Sequence, residues 1–148
     1  KIKDSSDFYM VGGMGHTASV ALGYSLSSKK KTVCIDGDGS LLMHLGSIKT
    51  AGSFGNKNFK YIVLNNNSHD SVGGQNTYAK DIDFEKLSKS LGFKKFYSIK
   101  GDKNLKMNIK NFLTSNTLDF LEAKVSSSKI KKLPRPTDLI KIKKLFMR

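Results

Sequence analysis

The sequence predicts an α/β domain built on a mainly parallel sheet. Short apolar runs alternate with segments of helical periodicity along the chain, and no internal repeat interrupts the alternation. Two of those runs, TVCID (residues 32–36) and KYIVLN (60–65), are joined by a single helical segment, as a βαβ crossover requires.

Taken in order, FYMV (8–11) predicts a short strand or extended entry. Residues 15–26 carry Ala18, Ala21, Leu22 and Leu26 at helical spacing and run into SSKKK. TVCID reads as a buried strand. Residues 40–54 predict one helix, with Leu42, Leu45, Ile48 and Ala51 or Gly52 on related faces. KYIVLN is the next strand. The polar, glycine-containing segment NNNSHDSVGGQNTYA (66–80) is long for a connection in a compact domain, so function or mobility is expected of it. Residues 83–90 predict a short helix, with Asp83 as N-cap and Gly92 just past its end. KFYSI (95–99) is a strand, residues 104–114 a helix, and LDFLEAKV (118–125) the last strand. SSSKIKKLPRP is expected to be an exposed connection, and residues 138–146 a closing helix.

A chain of 148 residues can form one domain, here 1–148, and bury a core without disulfides or structural metal. Its one cysteine, Cys34, lies inside TVCID and reads as an inert core residue, which fits a reducing, cytoplasmic setting. No run approaches the roughly 18 consecutive apolar residues of a membrane span. The opening KIKDSSDFY lacks the apolar stretch of a signal peptide, and it starts on Lys1 rather than Met, as a fragment or a trimmed chain would.

The net charge of +14 invites a nucleic-acid reading. Against it, only Arg135 and Arg148 of the 26 basic residues are arginine, and arginine forks do most base and phosphate recognition. The lysines are scattered apart from short clusters at 29–31, 129–132 and 141–144, and no nucleic-acid motif accompanies them. A solvated basic surface, or attraction of a small anion, is expected instead, with neither nucleic acid nor membrane as a partner.

IDGDGSL (35–41) sets two of the chain's few acids, Asp36 and Asp38, between glycines where a strand gives way to a helix. One reading is a dinucleotide fingerprint: Gly13, Gly15 and Ala18 fit G-x-G-x-x-A, and Asp36 ends the next strand about 20 residues on. That reading leaves Gly37-Asp38-Gly39 and the polar cluster after the third strand unexplained. The other reading uses both. In a βαβ unit the carboxyl ends of TVCID and KYIVLN are close, so Asp38 meets the asparagines 65–67 at the sheet edge where open α/β folds bind ligands. Gly37 and Gly39 permit a tight turn with backbone N–H groups near an anion, and Ser40 opens a helix whose N-terminus favours phosphate. One carboxylate, one amide oxygen, one backbone carbonyl and two phosphate oxygens, completed by water, make an oxygen-only octahedron suited to Mg²⁺. Asp36 is then expected to satisfy backbone groups at the strand end.

GDG followed by an asparagine pair about 27 residues later resembles the signature of the thiamine-diphosphate-dependent decarboxylases. The resemblance implies a three-layer α/β/α fold, thiamine diphosphate and Mg²⁺ as cofactors, and Asp38, Asn66 and the Ser68 carbonyl as metal ligands. A third asparagine, Asn67, leaves a one-residue shift open, with Asn65 the fallback. Gly12-Gly13-Met14-Gly15 looks like the family's aminopyrimidine loop, with the Gly12 carbonyl accepting from the cofactor's amino group and Met14 wedging its rings into a bend. DFYMVGGMGH, IDGDGSLLMHLGS, LNNNSHDSVGGQNT and PRPTDLIKIKKLFM are together similar to members acting on a small anionic 2-oxo acid. The His69–Gln75 segment favours phosphonopyruvate, and sulfopyruvate is the alternative. His69 is a candidate proton donor or substrate contact, weighed evenly against a neutral loop histidine. His16 and His44 read as packing or surface residues, while Asp70, Ser71, Gln75, Thr77 and Lys80 are minor loop candidates. Nothing here resembles the pyrimidine-binding half that carries the family's catalytic Glu. The resemblance therefore implies a partner domain or subunit, in a hetero- or homo-oligomer, and an isolated chain with little activity.

Overall fold

The computed structural model describes residues 7–101, 103–127 and 136–147. The lysine cluster at 129–132, Arg135, Arg148 and most of the expected SSSKIKKLPRP connection lie outside the described residues. The chain divides into two compact units, Gly15–Ser127 and a smaller one made of the segments before and after it.

The larger unit is a four-stranded, wholly parallel sheet. Its strands are β1 (Thr32–Gly37), β2 (Phe59–Asn65), β3 (Lys95–Lys100) and β4 (Asp119–Lys124), in the spatial order β1-β2-β4-β3. The pairing of β1 with β2 runs from Thr32 opposite Phe59 to Gly37 opposite Leu64, so the two strands end at the same level. Helices α1 (Thr17–Ser27), α3 (Leu45–Phe54) and α4 (Phe84–Leu91) pack in succession on one face. There Ala18, Leu22, Ile48, Ala51 and Phe84 bury against Cys34, Phe59, Tyr61, Val63 and Phe120. On the other face α5 (Leu105–Thr114) packs against β3, around Ile99, Phe112 and Leu121. Three layers result, as expected. The α5 layer stops short of β1, where Val33 (40 %), Ile35 (57 %) and Leu64 (40 %) stay exposed along one side of the sheet.

Local chemistry explains most element ends. Asp83 accepts the Lys86 N–H as the N-cap of α4, and Gly92 closes the helix in the left-handed region at φ 112°. Gly92 also lies against Gly52 of α3: a Cβ on Gly52 would come within 2.1 Å of the Leu91 carbonyl oxygen, so only glycine allows this approach.

Three expectations need correction. Of the two forms expected of FYMV, a short strand or an extended entry, the strand is not taken; residues 7–11 are irregular, with Phe8 and Tyr9 exposed, and among the described residues no strand pairs with them. Leu26 is not on the buried stripe of α1 but 55 % exposed at its last turn. The single helix expected over 40–54 is two: α2 (Asp38–Met43) starts at Asp38 rather than Ser40, and His44, at φ −137° and ψ 55°, breaks the ladder before α3.

In the smaller unit, Asp138 caps α6 (Leu139–Phe146) by accepting the Lys141 N–H, and the Phe8 and Phe146 rings lie 5.1 Å apart. Gly12 has φ 79°, and Met14 is half-exposed.

Candidate functional site

The two acids of IDGDGSL have separate roles, fixed by strand alternation and the turn. Asp36 faces the α1–α3–α4 layer from β1 and is buried. One carboxylate oxygen accepts the Gly37 N–H at 3.0 Å, the other accepts the Tyr61 hydroxyl at 3.0 Å, and the Ser40 hydroxyl adds a third bond. Desolvation raises this carboxyl above its ordinary value, against the lowering pull of those three bonds. As expected, Asp36 satisfies groups at the strand end; buried and turned to Tyr61 and the Gly37 N–H, it is not presented to a ligand as the ribose role of the dinucleotide reading requires. Burial likewise pushes the Cys34 thiol far up, which keeps it inert.

Asp38, at the start of α2, is 2 % exposed. One carboxylate oxygen accepts the Thr77 hydroxyl at 2.5 Å, a bond between buried groups that spans 39 residues. Thr77 also donates its backbone N–H to the Asn67 carbonyl at 3.2 Å, so one residue holds both the acidic turn and the asparagine run. The neighbouring Gly39 needs to be glycine for the same convergence: a Cβ there would lie 2.3 Å from His69 Nδ1, so the imidazole sits directly on the turn.

The three asparagines differ sharply. Asn65 is buried, with its side-chain N–H on Glu122 at 2.8 Å and its side-chain oxygen accepting the Asn67 N–H at 3.2 Å. Asn66 points its nitrogen at Asp70 (2.9 Å), and its oxygen accepts the Ser68 N–H at 3.0 Å. Asn67 has φ 58°, and its side-chain oxygen is buried with no hydrogen-bond partner. Ser68 pairs with Asn76 in an isolated antiparallel bridge, flanked by the bonds His69 N–H to Gln75 and Thr77 N–H to Asn67. In that arrangement the Ser68 carbonyl is directed away from its pair. Asp38, Asn66 and Ser68 thus present one carboxylate, one carboxamide and one carbonyl, all hard oxygen donors. Among the described residues no three His, Cys, Asp or Glu side chains converge as a metal cage would need. A donor set with a single carboxylate suits a hard divalent cation that takes its remaining oxygens from phosphate and water.

Gly15 and Ser40 are brought together as well. The Gly15 N–H donates to the Ser40 hydroxyl oxygen at 2.7 Å. The space over Gly15, at φ 88°, is filled by the His44 ring, which lies 4.2 Å from that of His16. The two histidines read from the sequence as surface or packing groups are therefore one contact, made possible by the break at His44. Gly12, Gly13 and Met14 belong to the other unit.

Sequence reasoning gave Thr77 little weight and missed Tyr61, Glu122 and Ser127 as partners of the polar residues. Tyr61 and Glu122 carry no motif signal. Ser127 donates to Asp70 at 2.8 and 2.9 Å across 57 residues, a contact no local pattern reveals.

Comparison with known proteins agrees with this geometry. Residues 3–123 match the family model for the thiamine pyrophosphate enzyme, C-terminal TPP binding domain. Phosphonopyruvate decarboxylase of Streptomyces viridochromogenes is 44 % identical over 87 residues, covering 59 % of this chain and 22 % of that protein. The sulfopyruvate decarboxylase subunit beta of Methanocaldococcus jannaschii is 40 % identical over 93 residues, covering 62 % and 50 %. A solved structure from Mycobacterium smegmatis, described as a thiamin diphosphate-dependent enzyme, shares the fold with a TM-score of 0.64 at 22 % identity, over 79 % of this chain and 23 % of that one. The chain thus spans half or less of the length of these relatives. With GDG and the asparagine run gathered at the carboxyl ends of adjacent parallel strands, the chain belongs to the thiamine pyrophosphate enzyme family, as a C-terminal TPP-binding domain.

Proposed function

We propose that the whole chain, residues 1–148, serves as the diphosphate-binding half of a thiamine-diphosphate- and Mg²⁺-dependent 2-oxo acid decarboxylase acting on 3-phosphonopyruvate. In that reaction the bond to the carboxylate breaks, CO₂ leaves, and a proton takes its place to give phosphonoacetaldehyde. When bound, thiamine diphosphate supplies the nucleophilic carbon and the electron sink. Asp38, the Asn66 side-chain oxygen and the Ser68 carbonyl would hold Mg²⁺, while Gly37, Gly39 and Ser40 would line the diphosphate turn. Asn65 is set aside as a ligand because it is buried at the strand end with its carboxamide turned to Glu122 of β4, whereas Asn66 is only partly buried. Gly12, Gly13, Met14 and Gly15 would meet the cofactor's aminopyrimidine ring, with Met14 supplying the apolar contact. His69, packed on Gly39, is the group of this chain best placed to deliver a proton or meet the substrate's anionic end.

The single observation that carries this reading is Thr77, bonded at once to the Asp38 carboxylate and the Asn67 backbone, because it unites the two halves of the motif at one point. The catalytic Glu and the pyrimidine-binding surface come from a partner domain or subunit. Three facts support that arrangement: the chain's partial coverage of its relatives, the subunit name of the M. jannaschii protein, and the bare apolar stripe at Val33, Ile35 and Leu64. Phosphonopyruvate is preferred to sulfopyruvate on the 44 % relative and on the His69–Gln75 segment. Reconstitution with a pyrimidine-binding partner tests the proposal: phosphonoacetaldehyde should form only with both chains, Mg²⁺ and thiamine diphosphate present. Faster turnover of sulfopyruvate would reassign the substrate, and full activity of this chain alone would remove the partner.

A further inference from the structure

We propose that Thr77 and Asp70 are positioning residues that decide which atoms Asp38 and Asn66 offer to the divalent cation, an inference that rests on the cofactor reading above. Each ligand side chain has two ends, and a cation site works only if the correct one faces inward. For Asp38 the choice is set by Thr77. The Ala79 N–H donates to the Thr77 hydroxyl oxygen at 3.3 Å, so the single hydroxyl proton is directed at the Asp38 carboxylate, 2.5 Å away. That contact ties down Oδ2 and leaves Oδ1 as the oxygen Thr77 does not hold. Both residues are buried, Thr77 at 8 % and Asp38 at 2 % exposure, so the contact is little screened by water.

For Asn66 the choice is set by Asp70. A carboxamide turned by half a rotation exchanges an acceptor for a donor at nearly the same place, and a donor facing a cation is repulsive. The Asp70 carboxylate accepts only from the nitrogen end, at 2.9 Å, which fixes the oxygen on the opposite side, toward the Ser68 N–H. Asp70 is itself held by the Ser127 hydroxyl, which follows β4, so its orientation is referred back to the sheet. The length of the 66–78 segment follows from these two tasks. It carries Asp70 out to Ser127, reverses at Gly73 and Gly74 (φ 123° and 79°), pairs His69 with Gln75, and returns Thr77 to Asp38. Groups that orient a metal's ligands typically change its affinity 10- to 100-fold when removed.

The test measures cation affinity rather than turnover. Mn²⁺ binding to the full chain in saturating thiamine diphosphate is followed by electron paramagnetic resonance, with the thermal midpoint of each cofactor-free variant recorded alongside. Thr77→Val keeps the shape and removes the hydroxyl; Asp70→Ala removes the carboxylate of an exposed residue. Each should weaken Mn²⁺ by roughly 10- to 100-fold. Thr77→Ser should restore it, and the loss in Asp70→Ala should persist at temperatures well below that variant's cofactor-free midpoint. Wild-type Mn²⁺ affinity in both Thr77→Val and Asp70→Ala, with binding abolished in Asp38→Ala, would overturn this proposal and leave the cofactor site standing. Failure of the wild-type chain to bind Mn²⁺ at all would overturn the cofactor reading and the positioning roles with it.

Discussion

Asp36 and Asp38 stand two residues apart and are separated in function by the side of the strand end each one faces. Asp36 is the structural member, and its buried carboxyl sits above its ordinary value, chiefly through desolvation. The fold therefore disfavours its charged form. Asp36's contribution to stability is complete below the unfolded carboxylate range, about pH 4, and is lost as pH rises toward the folded value. Asp36→Asn keeps an acceptor for Tyr61 or the Gly37 N–H and removes the charge. Its thermal midpoint should exceed that of the wild type at neutral pH, and the gap should close as the pH is lowered through 4 in paired melting curves. The split between the two acids was legible in the sequence, because glycines flank Asp38 on both sides and a strand residue precedes Asp36. Thr77 was not. A hydroxyl reaching a carboxylate across 39 residues leaves no periodic trace, and threonines in polar loops are common.

Among the elements, those with strong periodicity or clear caps followed the sequence closely: β1, β2, β4 and α4 fall within one or two residues of expectation. The failures have local causes. FYMV has strand-forming residues, but among the described residues no strand pairs with it, and pairing rather than propensity makes a strand. The α2–α3 break is hidden because Leu42, Leu45, Ile48 and Ala51 keep helical spacing across it, although His44 interrupts the hydrogen bonds. In β2 the sequence conceals a different feature. Lys60, in the second position of the strand, is wholly buried, bonded to Asp119 at 2.8 Å and to the Thr117 carbonyl at 2.5 Å, with its ammonium 5.8 Å from the Phe112 ring centre. Asp119 is steadied by the Thr117 hydroxyl at 2.6 Å. Lys60→Met strands the Asp119 charge in the core, and chemical denaturation should show a loss of about 3–5 kcal/mol. Adding Asp119→Leu should recover most of it, because no unpaired charge then remains.

At the scale of the larger unit, the sheet is covered more fully on one face than on the other, and the site lies at the carboxyl ends of its first two strands. No helix among the described residues is long and apolar enough to cross a membrane. The α/β class and the cofactor motif were both legible because the βαβ crossover that orders the strands also sets the spacing of the motif. The division into two units was not read, because the glycine run at 12–15 that holds one boundary was assigned to the cofactor motif, although the other boundary falls in the expected SSSKIKKLPRP connection. The claim on which the account stands is tested most directly by calorimetric titration of thiamine diphosphate into the chain, with and without Mg²⁺. Binding should require the cation and vanish in Asp38→Ala, while Asp36→Asn binds as the wild type does. Equal binding without Mg²⁺, or undiminished binding by Asp38→Ala, would contradict it.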